Sequence, residues 1–309
     1  MALEFVEHID FFSMTNSNEC QRLFHGRGHV HEGLEYINLD WLPPVLMITL
    51  YREVGQQALA DLAGLLIKQM PACESVQVQY RSRPLAPVEV LTGSEITELN
   101  VTEHGLKYHL QLGRAQNLGL FLDMSNGRKW ITEHAKDKTV LNLFAYTCAF
   151  SVAALAGGAR HVFNVDNNRG VLNRGRENHQ LNKLDMRAVR FDKIDVFKSF
   201  GRLKKYGPYD LLISDPPSFQ QGSVDIKQDY SKIVRRLPQL MSPGGKIMLC
   251  LNSPDLSEEF LYQIVEDGCP DCQFVEQIKP PPVFKEAVAG KGLKVLVFQF
   301  EPGFDGVLA

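Results

Sequence analysis

Residues 139–168 read TVLNLFAYTCAFSVAALAGGARHVFNVDNN; a polar helical segment follows, then KIDVF at 193–197 and YDLLISDPPSF at 209–219. Val140–Phe144, His161–Val165 and Asp210–Ser214 are short apolar runs, and each gives way to a polar residue or a tight turn. An Ala-rich helical segment, Ser151–Ala156, follows the first run. Strands that are apolar along their whole length and alternate with helices predict a parallel sheet covered on both faces. Ligands of such sheets bind outside the carboxyl ends of the strands. Asp166 and Asp215 fall at those ends. The stretch therefore predicts an α/β, doubly wound sheet with a small-molecule site.

Outward from this stretch, the 309-residue chain is long enough for two domains, with 44% hydrophobic and 22% charged residues. No apolar run approaches the ~20 residues of a membrane span. The N-terminal MALEFVEHIDFF has neither the basic start nor the small-residue cleavage site of a signal peptide. Six scattered cysteines read as reduced thiols, so the expected location is cytoplasmic. Net charge is −3, which excludes a globally basic nucleic-acid binder. The charge is uneven: residues 1–110 hold 7 basic and 14 acidic side chains, the remainder 26 and 22. A mildly basic second part is compatible with a phosphate-bearing substrate.

In the front part, Cys20–Phe24 and Val45–Tyr51 read as strands, Glu53–Met70 as a helix stopped by Pro71, and Ser75–Arg81 as a strand with one buried face. This predicts a smaller α/β domain over 1–98. His25-Gly26-Arg27-Gly28-His29-Val30-His31 lacks a carboxylate or cysteine at ligand spacing, so it reads as a turn whose Arg27 is free to touch substrate rather than as a metal site. Arg81 and Arg83 could meet phosphate, although a solvated strand end explains them as well. Leu99–Glu103 and Leu106–Leu112 form a hairpin about His104-Gly105, within a connecting segment 99–127. The main domain is expected over 128–303, opened by a helix from Arg128. In its later part Arg169–Leu181 and Lys227–Leu240 read as helices, Gly201–Gly207 as a basic turn, and Ser242-Pro243-Gly244-Gly245 as a break before the strand Lys246–Leu251. Cys269-Pro270-Asp271-Cys272 has no second pair and reads as a helix-ending turn with two free thiols. Lys294–Phe300 reads as the closing edge strand.

Asp166 follows Asn142 by 24 positions, where a carboxylate can accept from two ribose hydroxyls. The first turn decides which nucleoside. A dinucleotide needs glycines for its pyrophosphate to approach the backbone. Phe144-Ala145-Tyr146-Thr147-Cys148-Ala149 has none, which contradicts an NAD-linked oxidoreductase and suits a ligand without phosphate. Asp195 could accept from an adenine amino group with Ile194 or Val196 against the ring, or could simply cap a helix. In Asp215-Pro216-Pro217-Ser218-Phe219 two prolines fix the backbone and leave carbonyl acceptors beside an aromatic, an arrangement suited to a planar base.

NLFAYTCAFSVAALAGGA, VDNN, DVF, DPPSF, GGKIM and the upstream NLGLFLD, in this order, resemble class I S-adenosyl-L-methionine-dependent methyltransferases. More narrowly they resemble bacterial 23S ribosomal RNA methyltransferases acting on guanine N-7 or cytosine C-5, over roughly 99–300. The resemblance implies a Rossmann-like, mostly parallel sheet with an antiparallel edge strand, S-adenosyl-L-methionine as cofactor, and ribosomal RNA as partner, with no metal and no membrane. It leaves the oligomeric state open. It implies that Phe144, Tyr146 and Thr147 flank the methionine moiety, with Asn142 beneath. Asp166 and Asn167 then take the ribose, and Asp195 and Val196 the adenine. Phe121, Asp123 and Arg128 match a segment closing over the cofactor, and Asp215, Pro216, Pro217 and Phe219 a target-base loop. Cys148 stands where the family usually has glycine. Asn252 stands where the cytosine C-5 enzymes carry their nucleophilic cysteine; Cys250 lies two residues earlier, about 6–7 Å away along a strand. Nitrogen needs no covalent help, so guanine is the expected target base. A cytosine C-5 RNA methyltransferase, a methyltransferase of a non-RNA substrate and an RNA-binding homologue without catalysis are the competing readings.

Overall fold

A computed structural model describes residues 4–9, 11, 18–217, 219–220 and 224–303. The chain divides into two compact units, one comprising Met1–Ser125 with Pro281–Ala289, the other Asn126–Pro280 with Gly290–Ala309.

The first unit contains a five-stranded sheet in the order β1-β2-β3-β4-β5: β1 (Gln21–His25), β2 (Ile37–Leu42), β3 (Val45–Leu50), β4 (Ser75–Tyr80) and β5 (Val88–Gly93). Helix α1 (Gln56–Gln69) joins β3 to its parallel neighbour β4 and buries Leu59, Leu62, Ala63 and Leu66. The strand β2 was not legible in the sequence, because Asp40 interrupts its apolar pattern; its carboxylate pairs with Arg22 of β1. The alternation Val76, Val78, Tyr80 predicted one buried face for β4, yet all six residues are buried. Its glutamines are satisfied internally: Gln77 donates to the Ile96 carbonyl at 2.9 Å and Gln79 to the Ala86 carbonyl at 3.5 Å. Residues 84–98 contain the edge strand β5. The hairpin β6 (Glu98–Glu103) and β7 (Leu106–Gln111) turns on His104 and Gly105, both at positive φ (50° and 75°).

The second unit contains helix α2 (Ser125–His134, its first residue in the first unit), β8 (Thr139–Leu143), α3 (Ala149–Ala156), β9 (His161–Asp166), α4 (Arg169–Leu181), β10 (Val189–Lys193), α5 (Phe200–Tyr206) and β11 (Tyr209–Ser214). It continues with the two-residue strands β12 (Phe219–Gln220) and β13 (Val224–Asp225), then α6 (Ile226–Val234), α7 (Leu237–Leu240), β14 (Met241–Leu251), α8 (Glu258–Gly268), β15 (Cys272–Gln277) and β16 (Lys294–Phe300). The sheet order is β10-β9-β8-β11-β14-β16-β15, with every pair parallel except those made by β16. The expected α/β sheet is present. One detail is corrected: Lys294–Phe300 is not the closing edge. It lies between β14 and β15, six of its seven residues are buried, and the half-exposed β15 forms the edge. Uniform apolarity marks an interior strand.

Two further readings change. Gly201–Gly207 is not a turn but lies largely in α5, held by the buried Leu203. Lys227–Leu240 is two helices, the second carrying Pro238 in its first turn, where the missing N–H costs nothing. The core joins Leu141, Leu143, Leu212, Ile247, Leu249 and Leu296 of the sheet to Ile233, Leu237 and Leu261 of the covering helices.

Candidate active site

Strand register assembles the site. Leu143 of β8 pairs with Val165 of β9 and with Ser214 of β11; Asp166 pairs with Lys193 of β10; Ser214 pairs with Leu249 of β14. Four parallel strands therefore end at one level, and the segments that follow them, 144–148, 166–168, 194–197 and 215–217, stand side by side at the carboxyl edge.

The first turn is built without glycine, yet three of its residues adopt left-handed backbone: Phe144 (φ 56°), Tyr146 (φ 47°) and Cys148 (φ 59°). Each such residue costs about 1–2 kcal/mol, so the turn has to be held. The Ala145 N–H donates to the Val165 carbonyl (3.0 Å), the Tyr146 N–H to Asp166 Oδ2 (2.9 Å), and the Asn178 side chain to the Thr147 carbonyl (3.0 Å). Room for the Cys148 side chain is found across the interface. A Cβ on Gly175 of α4 would clash with Cys148 Sγ and lie 2.9 Å from its Cβ, so the glycine on the helix accommodates the non-glycine in the turn. Burial pushes the Cys148 thiol up, keeping it protonated and inert.

Asp166 is half-buried and accepts one backbone N–H on each oxygen, from Tyr146 on Oδ2 and from Asn168 on Oδ1 (2.8 Å). Burial raises its pKa, against the pull of these donors. Each carboxylate oxygen keeps further acceptor capacity. Asn168 then caps α4, its Oδ1 accepting from the Gly170 N–H at 2.8 Å, and Asn167 is exposed beside it. Of the two sequence readings of Asp195, its contacts show the cap. Its Oδ1 accepts from the Phe197 N–H (2.9 Å) and caps the turn, while Oδ2 lies 3.7 Å from Lys198 Nζ. Ile194 and Phe197 are half-buried here, and Phe197 lies 5.9 Å from the Phe144 ring.

Asp215 and Pro217 are half-buried and Pro216 is buried at the end of β11. Beneath them the Tyr230 hydroxyl lies 3.0 Å from both the Ser214 and the Cys250 carbonyl oxygens, tying the ends of β11 and β14 together. Ser214 Oγ is buried with no partner among the described residues. Ser218 lies outside the described residues, as does the Phe219 side chain; the Phe219 backbone pairs with Asp225. Asn252 is exposed just beyond β14, and Cys250 is wholly buried.

Several expected cofactor residues do not face outward. Asn142 and Thr147 are 1% exposed, Arg128 3% and Val196 4%. Asn142 opens a buried polar relay that sequence reasoning missed. It donates to Asn164 Oδ1 (2.9 Å), Asn164 donates to Ser151 Oγ (2.9 Å), and Ser151 faces His179 Nε2 (2.8 Å). His179 Nδ1 ends the relay at the Gly175 carbonyl (2.6 Å). Through this relay Asn142 fastens β8 to β9, α3 and α4. The signal was a polar residue inside an otherwise apolar strand, which needs a buried partner. Phe121 (exposed) and Asp123 (half-buried) belong to a short turn of the first unit. Among the described residues no group of three or more His, Cys, Asp and Glu could hold a metal, and no helix is long and apolar enough to cross a membrane.

The donor set fits a nucleoside without phosphate. A half-buried carboxylate with free lone pairs matches a ribose diol, half-buried Ile194 and Phe197 offer apolar surface, and no glycine clears space for a pyrophosphate. The chain belongs to the S-adenosylmethionine-dependent methyltransferase family, whose model matches residues 21–299, and it is an enzyme that uses S-adenosylmethionine. It is 33% identical over 286 residues to the ribosomal RNA large subunit methyltransferase I of Cronobacter sakazakii, covering 87% of this chain and 71% of that protein. The protein of that name from Erwinia tasmaniensis is 30% identical over 284 residues, with the same coverage. Among solved structures, a methyltransferase complexed with SAH superposes with a TM-score of 0.84 at 24% identity, over 96% of this chain and 81% of that one. The tRNA m1G37 methyltransferase of M. jannaschii gives 0.60 at 18% identity, over 85% and 74%. These structural likenesses show the shared fold.

Proposed function

We propose that this methyltransferase acts on large-subunit ribosomal RNA and transfers the methyl group to a guanine nitrogen. The names of its relatives support the RNA substrate. The observation that carries the choice of atom is at the end of β14, where Cys250 is wholly buried and the exposed position carries Asn252. Carbon C-5 of cytosine needs a thiolate to add to the ring, and no thiol stands at the surface of this strand end. A guanine nitrogen attacks through its own lone pair.

S-adenosylmethionine, when bound, supplies an electrophilic methyl group on a sulfonium. The chain's residues bind and orient. Asp166 accepts from the ribose hydroxyls, with the exposed Asn167 beside it. Asp195, through its outer oxygen, accepts from the adenine amino group, with Ile194 against the ring. Phe144 and Tyr146 flank the methionine end. Asp215 and the carbonyls of Pro216 and Pro217 accept from the amino group on the guanine edge, and Asn252 offers both donor and acceptor to it. The first unit is the substrate side. Alignment of two reactants is worth about 7–11 kcal/mol, so positioning carries most of the effect. The test is methyl transfer from labelled S-adenosylmethionine to unmodified large-subunit ribosomal RNA, with nucleosides identified by mass spectrometry. Methylguanosine is expected. Methylcytidine, or no transfer to RNA, overturns the proposal.

A further inference from the structure

The first unit carries a row of tyrosines and arginines at one end of its sheet. Past the register pair Ile37 and Leu50, the Tyr51 N–H donates to the Tyr36 carbonyl (2.8 Å). On the next strand the Arg81 N–H donates to the Leu50 carbonyl (2.7 Å). Tyr36, Tyr51 and Arg81 thus follow one another across three strands at one level. The Arg52 guanidinium lies 3.6 Å from the centre of the Tyr36 ring, and those of Arg27 and Arg81 lie 4.6 and 5.9 Å from the centre of Tyr51.

Arg27 is delivered there by the His25–His29 turn. Neither glycine of that turn tolerates a side chain: a Cβ on Gly26 would strike the Leu34 and Ile37 carbonyls, and one on Gly28 the Lys285 carbonyl. The Gly28 carbonyl also accepts from the Ala287 N–H at 2.7 Å. The loop is clamped, and Arg27 is the exposed residue between the two glycines.

The arginines of this unit differ in how they are neutralised. Arg83 also stacks on a tyrosine, but Glu53 (2.6 Å) and Glu89 (2.9 Å) hold its charge. Arg22 pairs with Asp40. Arg27 and Arg52 have no carboxylate within ion-pairing distance among the described residues, and Glu35, whose carboxylate feels the Arg52 charge, accepts the Gly33 N–H at 2.9 Å. Two such cations run against a segment in which acids outnumber bases by two to one. A guanidinium stacked on a ring has one face covered and its N–H edge turned outward, the geometry that grips phosphate oxygens two at a time. Tyrosine and arginine planes also stack on unpaired bases.

We propose that Arg27 and Arg52, stacked on Tyr51 and Tyr36, form an RNA contact in the first unit that holds the phosphates of a single-stranded segment of the substrate, while Arg81 is held by the Gln116 carbonyl at 3.0 Å and completes the row as support. This assignment rests on the reading that the substrate is RNA. The test uses the full chain and its variant Arg27→Gln/Arg52→Gln, both positions being exposed and outside the candidate active site. Binding to an unmodified large-subunit ribosomal RNA transcript and to a short fluorescein-labelled oligouridylate is measured across a salt series. Each phosphate contact on a single strand contributes about 0.7 to the slope of log affinity against log salt. The variant should therefore lose about 1.4 in slope and about tenfold or more in affinity at low salt, with KM for RNA raised and kcat and adenosylhomocysteine affinity unchanged. Arg27→Lys/Arg52→Lys should restore the slope. If the wild type binds and methylates the transcript while the variant matches it in affinity and slope, the contact is refuted and the RNA reading stands. If the wild type neither binds nor methylates RNA, both fall. A variant defective only on assembled subunits would put a ribosomal protein on this surface and overturn the assignment to RNA.

Discussion

Replacing Asp166 by alanine should separate binding from stability. The carboxylate holds the Tyr146 and Asn168 N–H groups at 2.9 and 2.8 Å and is proposed to hold the ribose diol with its remaining lone pairs. Losing a hydrogen-bonded partner at a partly buried site costs about 1–3 kcal/mol, so the affinity for adenosylhomocysteine should fall about 5- to 150-fold. Folding should suffer less than binding. Burial raises the Asp166 pKa, which means that the folded protein, despite two N–H donors, disfavours the charge relative to the unfolded chain. Removing the carboxylate relieves that penalty while leaving two donors without their acceptor. The same shift sets a pH dependence: the ionised form is lost as pH falls through a pKa above the ordinary carboxylate value, so wild-type affinity should weaken at milder acidity than for an exposed aspartate. Isothermal titration with adenosylhomocysteine, alongside urea unfolding of the free protein, measures both quantities. A folded variant with unchanged affinity would refute the ribose assignment and the reasoning from register that leads to it.

Gly175→Ala should destabilise the protein by about 1–3 kcal/mol, because the added methyl meets Cys148, and Cys148→Gly should rescue most of that loss in a double-mutant cycle read by urea unfolding. Tyr230→Phe removes a hydroxyl that tethers the Ser214 and Cys250 carbonyls; about 1–3 kcal/mol of stability should go, measured the same way. Cys250→Ala should retain methyl transfer, since Tyr230 holds the carbonyl and not the thiol; abolished transfer in a folded variant would instead favour a cysteine-dependent route. His179 has its pKa pushed down to about 4 by burial. The unfolded imidazole titrates near ~6.5 and binds the extra proton between the two values, so this contribution to stability is full above ~6.5 and is lost progressively toward pH 4. Between about pH 7 and about pH 5 the loss should be ~2 kcal/mol, in the same direction as that from His25, whose pKa is lowered to about 3, and the pH slope should shrink in a His179→Gln variant.

The sheet was readable because its central strands carry no polar face, and the acids at their ends were readable because a charge closing an apolar run has few structural reasons to be there. What escaped was decided by partners distant in sequence. Ile37–Leu42 carries Asp40 inside its apolar pattern and is completed by Arg22 from the neighbouring strand, and β4 looked half-exposed until Gln77 and Gln79 found carbonyls to bond. Asn142 read as a ligand residue because its position in the strand is right, while its burial and its bond to Asn164 are invisible without the neighbouring strand. The glycine expected after Tyr146-Thr147 was not missing from the packing. It sits at position 175, in a helix that sequence order separates from the turn.

The two outer strands of the second unit's sheet also govern how the chain behaves in a crowded solution. An open sheet edge is a template for another chain's backbone. Along β10 the side chains of Arg190 and Asp192 are locked to one another at 3.0 Å, with Arg202 on the same carboxylate, so charge lines that border. At the other border β15 exposes Phe274 and Val275, 46% and 41% accessible, but its register breaks between Phe274 and Glu276. Glu276 is fixed by the Trp130 indole N–H at 2.8 Å. A kink and an anchored carboxylate thus interrupt the apolar rim at the place where a further strand would have to pair.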